Sequence, residues 1–100
     1  PAMIVGVRAH MHGLGRASRI EKVSVDPATG SEERTCLVDI PHYNYHWQRS
    51  YFLNDAVPLT PDDKLFLSCT YSTASKDTVT TWGEGTSDEM CLATFYTYLQ

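Results

Sequence analysis

The 100-residue chain lacks any long apolar run. Leu65-Phe66-Leu67 is among its longest, whereas a bilayer-spanning helix needs roughly 20 apolar residues, so no membrane partner is expected. Basic residues are scarce, eight Lys and Arg against twelve Asp and Glu, for a formal net charge of −4. A protein that grips a phosphate backbone presents a basic face, and no nucleic-acid partner is expected either. The three cysteines, Cys36, Cys69 and Cys91, are too far apart for the C-x-x-C pattern of redox and zinc sites. Their odd number leaves one thiol outside any intrachain pairing. Two readings stay open: one disulfide plus a spare thiol in an oxidising compartment, or three buried reduced thiols. Helical periodicity is missing too, since no window repeats apolar residues every 3.6 positions between caps. No secretory leader is recognisable; Pro1-Ala2-Met3 reads as a processing or cloning remnant and leaves the compartment open.

What is present is the alternation of strands and turns. With 42% hydrophobic residues and 11% aromatics, the chain has the composition of an ordinary globular domain. It can bury roughly 60–70% of the surface exposed by its unfolded form. Runs rich in Val, Ile, Thr, Tyr and Phe lie between turn clusters, which predicts strands over residues 3–12, 18–25, 33–40, 64–72, 78–82 and 90–99. Gly13-Leu14-Gly15 and Asp26-Pro27-Ala28-Thr29-Gly30 are turns. Between them and the later strands come an aromatic stretch, 42–53, and a loop carrying Pro58 and Pro61-Asp62-Asp63. About eight short strands in one domain over residues 1–100 imply an all-β, two-sheet antiparallel sandwich of jelly-roll type with little or no helix.

The most informative segment is Arg8-Ala9-His10-Met11-His12-Gly13-Leu14-Gly15. In a strand, positions i and i+2 leave the same face, so Arg8, His10 and His12 project together while Val5, Val7, Ala9 and Met11 face the core. Both imidazoles then lie on an outer surface. Neutral imidazoles at i and i+2 can converge on Zn, Cu, Fe or Ni; two solvated surface histidines fit the same pattern. If Cys91 points inward with Ala93 and Phe95, then Met90 points outward with Leu92 and Thr94. A thioether beside two imidazoles suits Cu(I) better than zinc, and the competing role for Met90 is filling a gap in the core.

Other chemistries fit less well. A blue-copper site would need Cys36 as its thiolate, without the Cys, His and Met clustering in one late loop that such proteins use. No G-x-S-x-G elbow marks a hydrolase, and Asp62-Asp63 and Asp88-Glu89 read as solvated turn acids. In His42-Tyr43-Asn44-Tyr45-His46-Trp47-Gln48, strand alternation puts Tyr43, Tyr45 and Trp47 on one side, able to pack a core or stack on sugars or bases. His42 and His46 on the other side are candidates for a second metal site.

Taken in order, Arg8 to Gly15, the His42-Tyr43…His46-Trp47-Gln48 stretch, Cys69-Thr70-Tyr71-Ser72-Thr73 and Thr80-Thr81-Trp82-Gly83-Glu84-Gly85-Thr86-Ser87-Asp88-Glu89-Met90-Cys91 resemble the C-terminal domain of the copper type II, ascorbate-dependent monooxygenases. That family includes dopamine β-monooxygenase and peptidylglycine α-hydroxylating monooxygenase. The resemblance implies one copper ion held by His10, His12 and Met90 where O2 is activated, and a disulfide between Cys69 and Cys91. It implies ascorbate or another reductant, a small-molecule substrate, and a partner N-terminal domain carrying a second copper. Arg8 matches the arginine that peptide-hydroxylating members use for a substrate carboxylate, but Leu92 and Thr94 stand where those members have Asn and Tyr. Cys36 has no counterpart.

The expected function is that of the oxygen-activating copper domain of a C–H hydroxylase, inactive without its partner domain. The expected location is secreted, periplasmic or in the secretory-pathway lumen. The alternatives are a non-catalytic copper-binding module and a carbohydrate-binding or adhesion sandwich whose His-x-His is incidental.

Overall fold

The computed structural model describes residues 2–74, 78–85 and 88–100. Among them, six strands make two three-stranded antiparallel sheets. In one, β1 (Ala2–His10) lies between β4 (Tyr51–Leu59) and β6 (Leu92–Leu99); in the other, β2 (Gly15–Val25) lies between β3 (Glu32–Ile40) and β5 (Lys64–Tyr71). Ile4, Val7 and Ala9 of β1 meet Ile20, Leu37 and Val38 of the other sheet in a single core. Tyr51, Leu53, Val57, Leu59, Leu67, Ala93 and Phe95 pack around it. Each large apolar side chain removed from water there contributes roughly 1.5–3 kcal/mol. The chain is therefore the all-β antiparallel sandwich expected, with six described strands in place of about eight.

Three departures from the expected strands have local causes. The register of β1 against both neighbours shifts between Ile4 and Gly6, and a bulge of this kind inserts a residue and reverses the alternation before it. Ile4 therefore occupies the core and Val5 stays half-buried outside it. Pro58, placed in a loop by its chemistry, belongs to β4; β4 is an edge strand, where a missing N–H leaves no ladder bond unmade. Residues 42–50 hold no strand but a 3-10 turn, Tyr45–Trp47, started by the Asn44 side chain accepting from the His46 N–H at 2.9 Å. Alternation therefore does not govern that stretch: Tyr43 is buried and Tyr45 half-buried, while the Trp47 side chain lies outside the described residues. Residues 78–82 make only an isolated parallel bridge, Trp82 to Glu89.

The exteriors of the two sheets differ in character. Outside β3-β2-β5, Arg19 pairs with Glu21 and Asp39, and Arg34 pairs with Glu21 and Glu32 and sits 5.2 Å from the Phe66 ring centre. Outside β4-β1-β6, Gly6 lies under the rings of Phe52 and Tyr96, whose centroids are 5.3 Å apart. Phe52 is 68% exposed and Tyr98, further along the same face, 48%. The first surface is arranged for water; the second is apolar and aromatic.

Asp63 corrects a reading as a solvated turn acid. Its carboxylate accepts from the Thr60 N–H at 2.9 Å and the Ser24 hydroxyl at 2.7 Å, with the Lys22 ammonium 3.9 Å away. The Thr60 N–H foremost, then Ser24 and Lys22, hold its pKa below the ordinary carboxylate value, against a smaller opposing effect of burial. A depressed folded-state pKa contributes stability that is complete above the unfolded value of about 4 and disappears as pH falls through the folded one. We expect the thermal midpoint of the wild type to fall more steeply below about pH 4 than that of Asp63→Asn. Parallel pH profiles of the two would show the carboxylate to be unimportant.

Candidate metal centre

The centre begins where β1 ends. Arg8 and His10 leave its outer face directly opposite Thr94 and Leu92 of β6, so the four residues named from alternation and resemblance share one surface. The chain then turns tightly through His12-Gly13-Leu14-Gly15, with the Gly15 N–H donating to the His12 carbonyl at 3.0 Å. Gly15 is required there, because a Cβ would lie 2.7 Å from the Met11 Cβ and about 3 Å from its sulfur.

Tyr43 locks this turn from the other side. Its hydroxyl accepts from the Met11 N–H at 3.0 Å and donates to the Met11 carbonyl at 2.9 Å, satisfying both backbone groups between the two histidines. Burial raises the Tyr43 pKa, keeping the phenol neutral and able to donate. Tyr43→Phe strands a buried donor and a buried acceptor, each worth about 1–3 kcal/mol. Denaturant unfolding should show a loss of at least about 2 kcal/mol, and a loss under 0.5 kcal/mol would mean water replaces the hydroxyl.

The two imidazoles meet edge to face, with centroids 5.1 Å apart and planes at 84°. Tyr45 stands against both, its ring 5.8 Å from that of His12 and 6.5 Å from that of His10. Their hydrogen bonds determine the tautomers. His12 Nδ1 lies 2.9 Å from the Asp88 carbonyl, which can only accept, so Nδ1 carries the proton. His10 Nδ1 lies 2.6 Å from the Gln48 Oε1, and the orientation of that amide follows from Gln48 Nε2 donating to the Tyr45 carbonyl at 3.0 Å. Here too Nδ1 is the donor. Among the described residues neither Nε2 has a hydrogen-bond partner, so both lone pairs are available. An imidazole whose remote N–H is held by an acceptor is fixed in orientation and tautomer, as metal-binding histidines are.

His12 is not on an open surface as alternation implied; it is only 4% exposed. The chain segment before β6 covers it. Glu89, read as a solvated turn acid, is buried and accepts the His12 N–H on Oε1 and the Leu14 N–H on Oε2, both at 2.8 Å. Its own backbone is fixed by Glu89 N–H donating to the Thr81 carbonyl and Gly83 N–H donating to the Glu89 carbonyl.

Met90 follows immediately and precedes β6, so strand alternation does not reach it. It is buried, 9% exposed, where an outward position was expected. Its carbonyl accepts from the Tyr71 hydroxyl at 2.7 Å, and burial holds the Tyr71 pKa up so that the phenol stays a donor. Cys91 is bonded to Cys69 of β5 with the Cα atoms 6.0 Å apart. Closing that 22-residue separation restricts the unfolded chain by roughly 3 kcal/mol in the loop-entropy account. Cys36 is a free, exposed thiol on β3 of the other sheet.

The other expected site residues separate. His42 lines a cavity of about 170 Å³ with Gln48 and Arg49, whereas His46 lines a different cleft with Arg16 and Tyr45. Among the described residues, no three side chains of His, Cys, Asp or Glu gather closely enough to hold a metal. Among the described residues, His, Cys, Asp and Glu thus supply no third donor beside His10 and His12; two imidazoles completed by a methionine thioether would form a soft donor set. The residues fit copper. Arg8 forms no ion pair among the described residues.

A family model for the C-terminal domain of copper type II ascorbate-dependent monooxygenases matches residues 2–100. The chain belongs to that family. It is 37% identical over 97 residues to human dopamine beta-hydroxylase, covering 97% of this chain and 15% of that protein. It is 40% identical over 57 residues to tyramine beta-hydroxylase of Caenorhabditis briggsae, covering 57% of this chain and 10% of that protein. Similarity to MOXD1 homolog 1 of Drosophila melanogaster is 33% over 95 residues, 95% of this chain and 13% of that protein. The chain thus spans between a tenth and a fifth of the length of these curated relatives.

Proposed function

We propose that this chain is the oxygen-activating copper domain of a monooxygenase that converts C–H to C–OH with O2 and a reductant such as ascorbate, one copper being held by His10, His12 and Met90. Membership of the family supports the chemistry. The observation that carries the site is the tautomer of the imidazole pair, in which the Gln48 Oε1 and the Asp88 carbonyl accept hydrogen bonds from the two Nδ1–H groups, and both Nε2 lone pairs are left for a metal. Copper, when bound there, supplies one electron by passing between Cu(I) and Cu(II).

The remaining roles belong to the protein. Gln48 and Asp88 orient the rings, and Tyr45 shields them. Arg8, on the face it shares with His10, gives a substrate one positive anchor. Thr94 and Leu92 opposite Arg8 and His10 offer little of the polar support that would fix a peptide carboxylate. The outer face of β4-β1-β6, which carries His10 and Arg8 at one end, Phe52 and Tyr96 over Gly6 in the middle and Tyr98 at the other end, suits a second domain carrying the other copper. A disulfide persists in oxidising compartments, which supports a secreted or secretory-pathway location; no helix in the described residues is long and apolar enough to cross a membrane.

A second reading is a module that binds copper without catalysis. It draws support from the separation of His42 from His46, which leaves no second metal cluster among the described residues. Anaerobic titration with Cu(I) against a chromophoric chelator tests both readings, which expect one tightly bound equivalent, lost in His10→Ala and in His12→Ala. Absence of stoichiometric copper in the wild type would overturn both and leave an adhesion-type sandwich. Turnover after addition of a second copper domain separates the first reading from the second.

A further inference from the structure

We infer that Glu89 is the positioning residue of the metal centre, its buried carboxylate setting the spacing between the imidazole pair and Met90 by binding the backbone of both segments at once. The inference rests on the proposed His10, His12 and Met90 ligand set.

One planar carboxylate reaches three amides: His12 N–H at 2.8 Å and Met90 N–H at 3.3 Å on Oε1, and Leu14 N–H at 2.8 Å on Oε2. The segments so joined are 75–77 residues apart in sequence. Burying a carboxylate is unfavourable unless its charge is answered, yet no Lys or Arg pairs with Glu89 among the described residues. Its charge is met by backbone donors, and hydrogen bonds to an ionised acceptor are short and strong. An ordinary strand pairing would join these segments without a buried charge. What the carboxylate adds is a rigid two-oxygen bracket at the position between His12 and Met90. The same segment also presents the Asp88 carbonyl that accepts the hydrogen bond from His12 Nδ1–H. Displacing residues 88–90 would therefore disturb the thioether and one imidazole together. His10 is held independently, by Gln48 from the segment after the 3-10 turn.

This asymmetry makes the inference testable on the full chain. Glu89→Gln keeps the shape but places an NH2 against backbone donors. Glu89→Asp keeps the charge but draws the carboxylate back by one methylene, so that it no longer spans both segments. With Cu(I) bound, X-ray absorption of either variant should show the sulfur neighbour reduced to half or less and disordered. The Cu(I) affinity should fall about 10–100-fold, the range for loss of an outer-shell partner. In the metal-free chain, the amide protons of His12, Leu14 and Met90 should lose exchange protection while those of β1 around Arg8 keep theirs. Asp63→Asn, at the other end of the sandwich, controls for general loss of stability and should leave sulfur shell and affinity intact.

If Glu89→Gln does not fold, Glu89→Asp decides. A wild type lacking the sulfur neighbour refutes the ligand set itself. A wild type that has it, with a Glu89 variant that folds and keeps full affinity and an unchanged shell, refutes the positioning role and leaves Glu89 as a strand tie.

Discussion

Replacing Met90 with Ile is expected to abolish the sulfur signal from bound Cu(I) while the domain remains folded. The chain has three methionines, Met3, Met11 and Met90, and the structure distinguishes them. Met11 is fully buried and packs against Gly15 under the turn. Its backbone is held by Tyr43. Met3 lies at the far end of β1, opposite Pro58 and Tyr98. Met90 is tied to the His12 turn from the opposite end of the sequence, through its neighbours Asp88 and Glu89. Ile nearly conserves the volume, and swaps of that kind usually cost under about 1.5 kcal/mol. The disulfide and the Tyr71 bond to the Met90 carbonyl are untouched by the change. The Cu(I) complex should thus keep its nitrogen neighbours, lose sulfur entirely and bind more weakly, because a soft ion loses its soft donor. A sulfur neighbour surviving in Met90→Ile would point to Met11 or Cys36 and refute the proposed ligand set. Met11→Leu provides the complementary arm and should retain the signal.

The part of this centre that could be read from sequence is the part built by one strand. Alternation along β1 puts Arg8 and His10 on one face and Val7 and Ala9 on the other, and the bulge at Val5 lies far enough upstream to leave that placement intact. The same reasoning on β6 put Leu92 and Thr94 outward and Ala93 and Phe95 inward, and the register with β1 agrees. Both successes depend on a regular pleat.

The errors arise where the pleat stops. His12 lies beyond the end of β1 and Met90 before the start of β6, so neither obeys a period of two. Their burial is decided by contact with each other's segments, across more than 70 residues of sequence. Glu89 and Asp63 looked like turn acids because a local window shows a carboxylate near Gly, Ser or Pro. It does not show the N–H groups converging on that carboxylate from Leu14 or Thr60. Gln48, 38 residues from His10, carries no local signal at all. The pairing of Cys69 with Cys91 came from resemblance, not spacing, and the structure contains that bond. Its effect is to anchor the irregular segment that alternation could not place.

The 100-residue chain, assayed by itself, is expected to bind one copper and yield no hydroxylated product. Converting R–H and O2 to R–OH and H2O consumes two protons and two electrons. One copper held by His10, His12 and Met90 would provide one of those electrons by passing from Cu(I) to Cu(II), and the second would have to come from another centre. His42 and His46, the remaining histidines, line separate recesses, so the described residues contain no second cluster to supply it. Geometry works in the same direction. His10 is only half-buried and shares its face with Thr94, Leu92 and Arg8, so solvent reaches the place where a substrate would sit. Water exclusion at such a place strengthens the electrostatics of the site and suppresses leakage of reactive oxygen, and this face provides it only when covered. With ascorbate and O2, the isolated chain should therefore oxidise ascorbate slowly and release hydrogen peroxide, one H2O2 for each ascorbate oxidised by two electrons. A second copper domain added in trans should lower the peroxide yield and allow product to form. Stoichiometric hydroxylated product from this chain alone, carrying oxygen from labelled O2 and lost in His10→Ala, would show that one copper and an open face suffice.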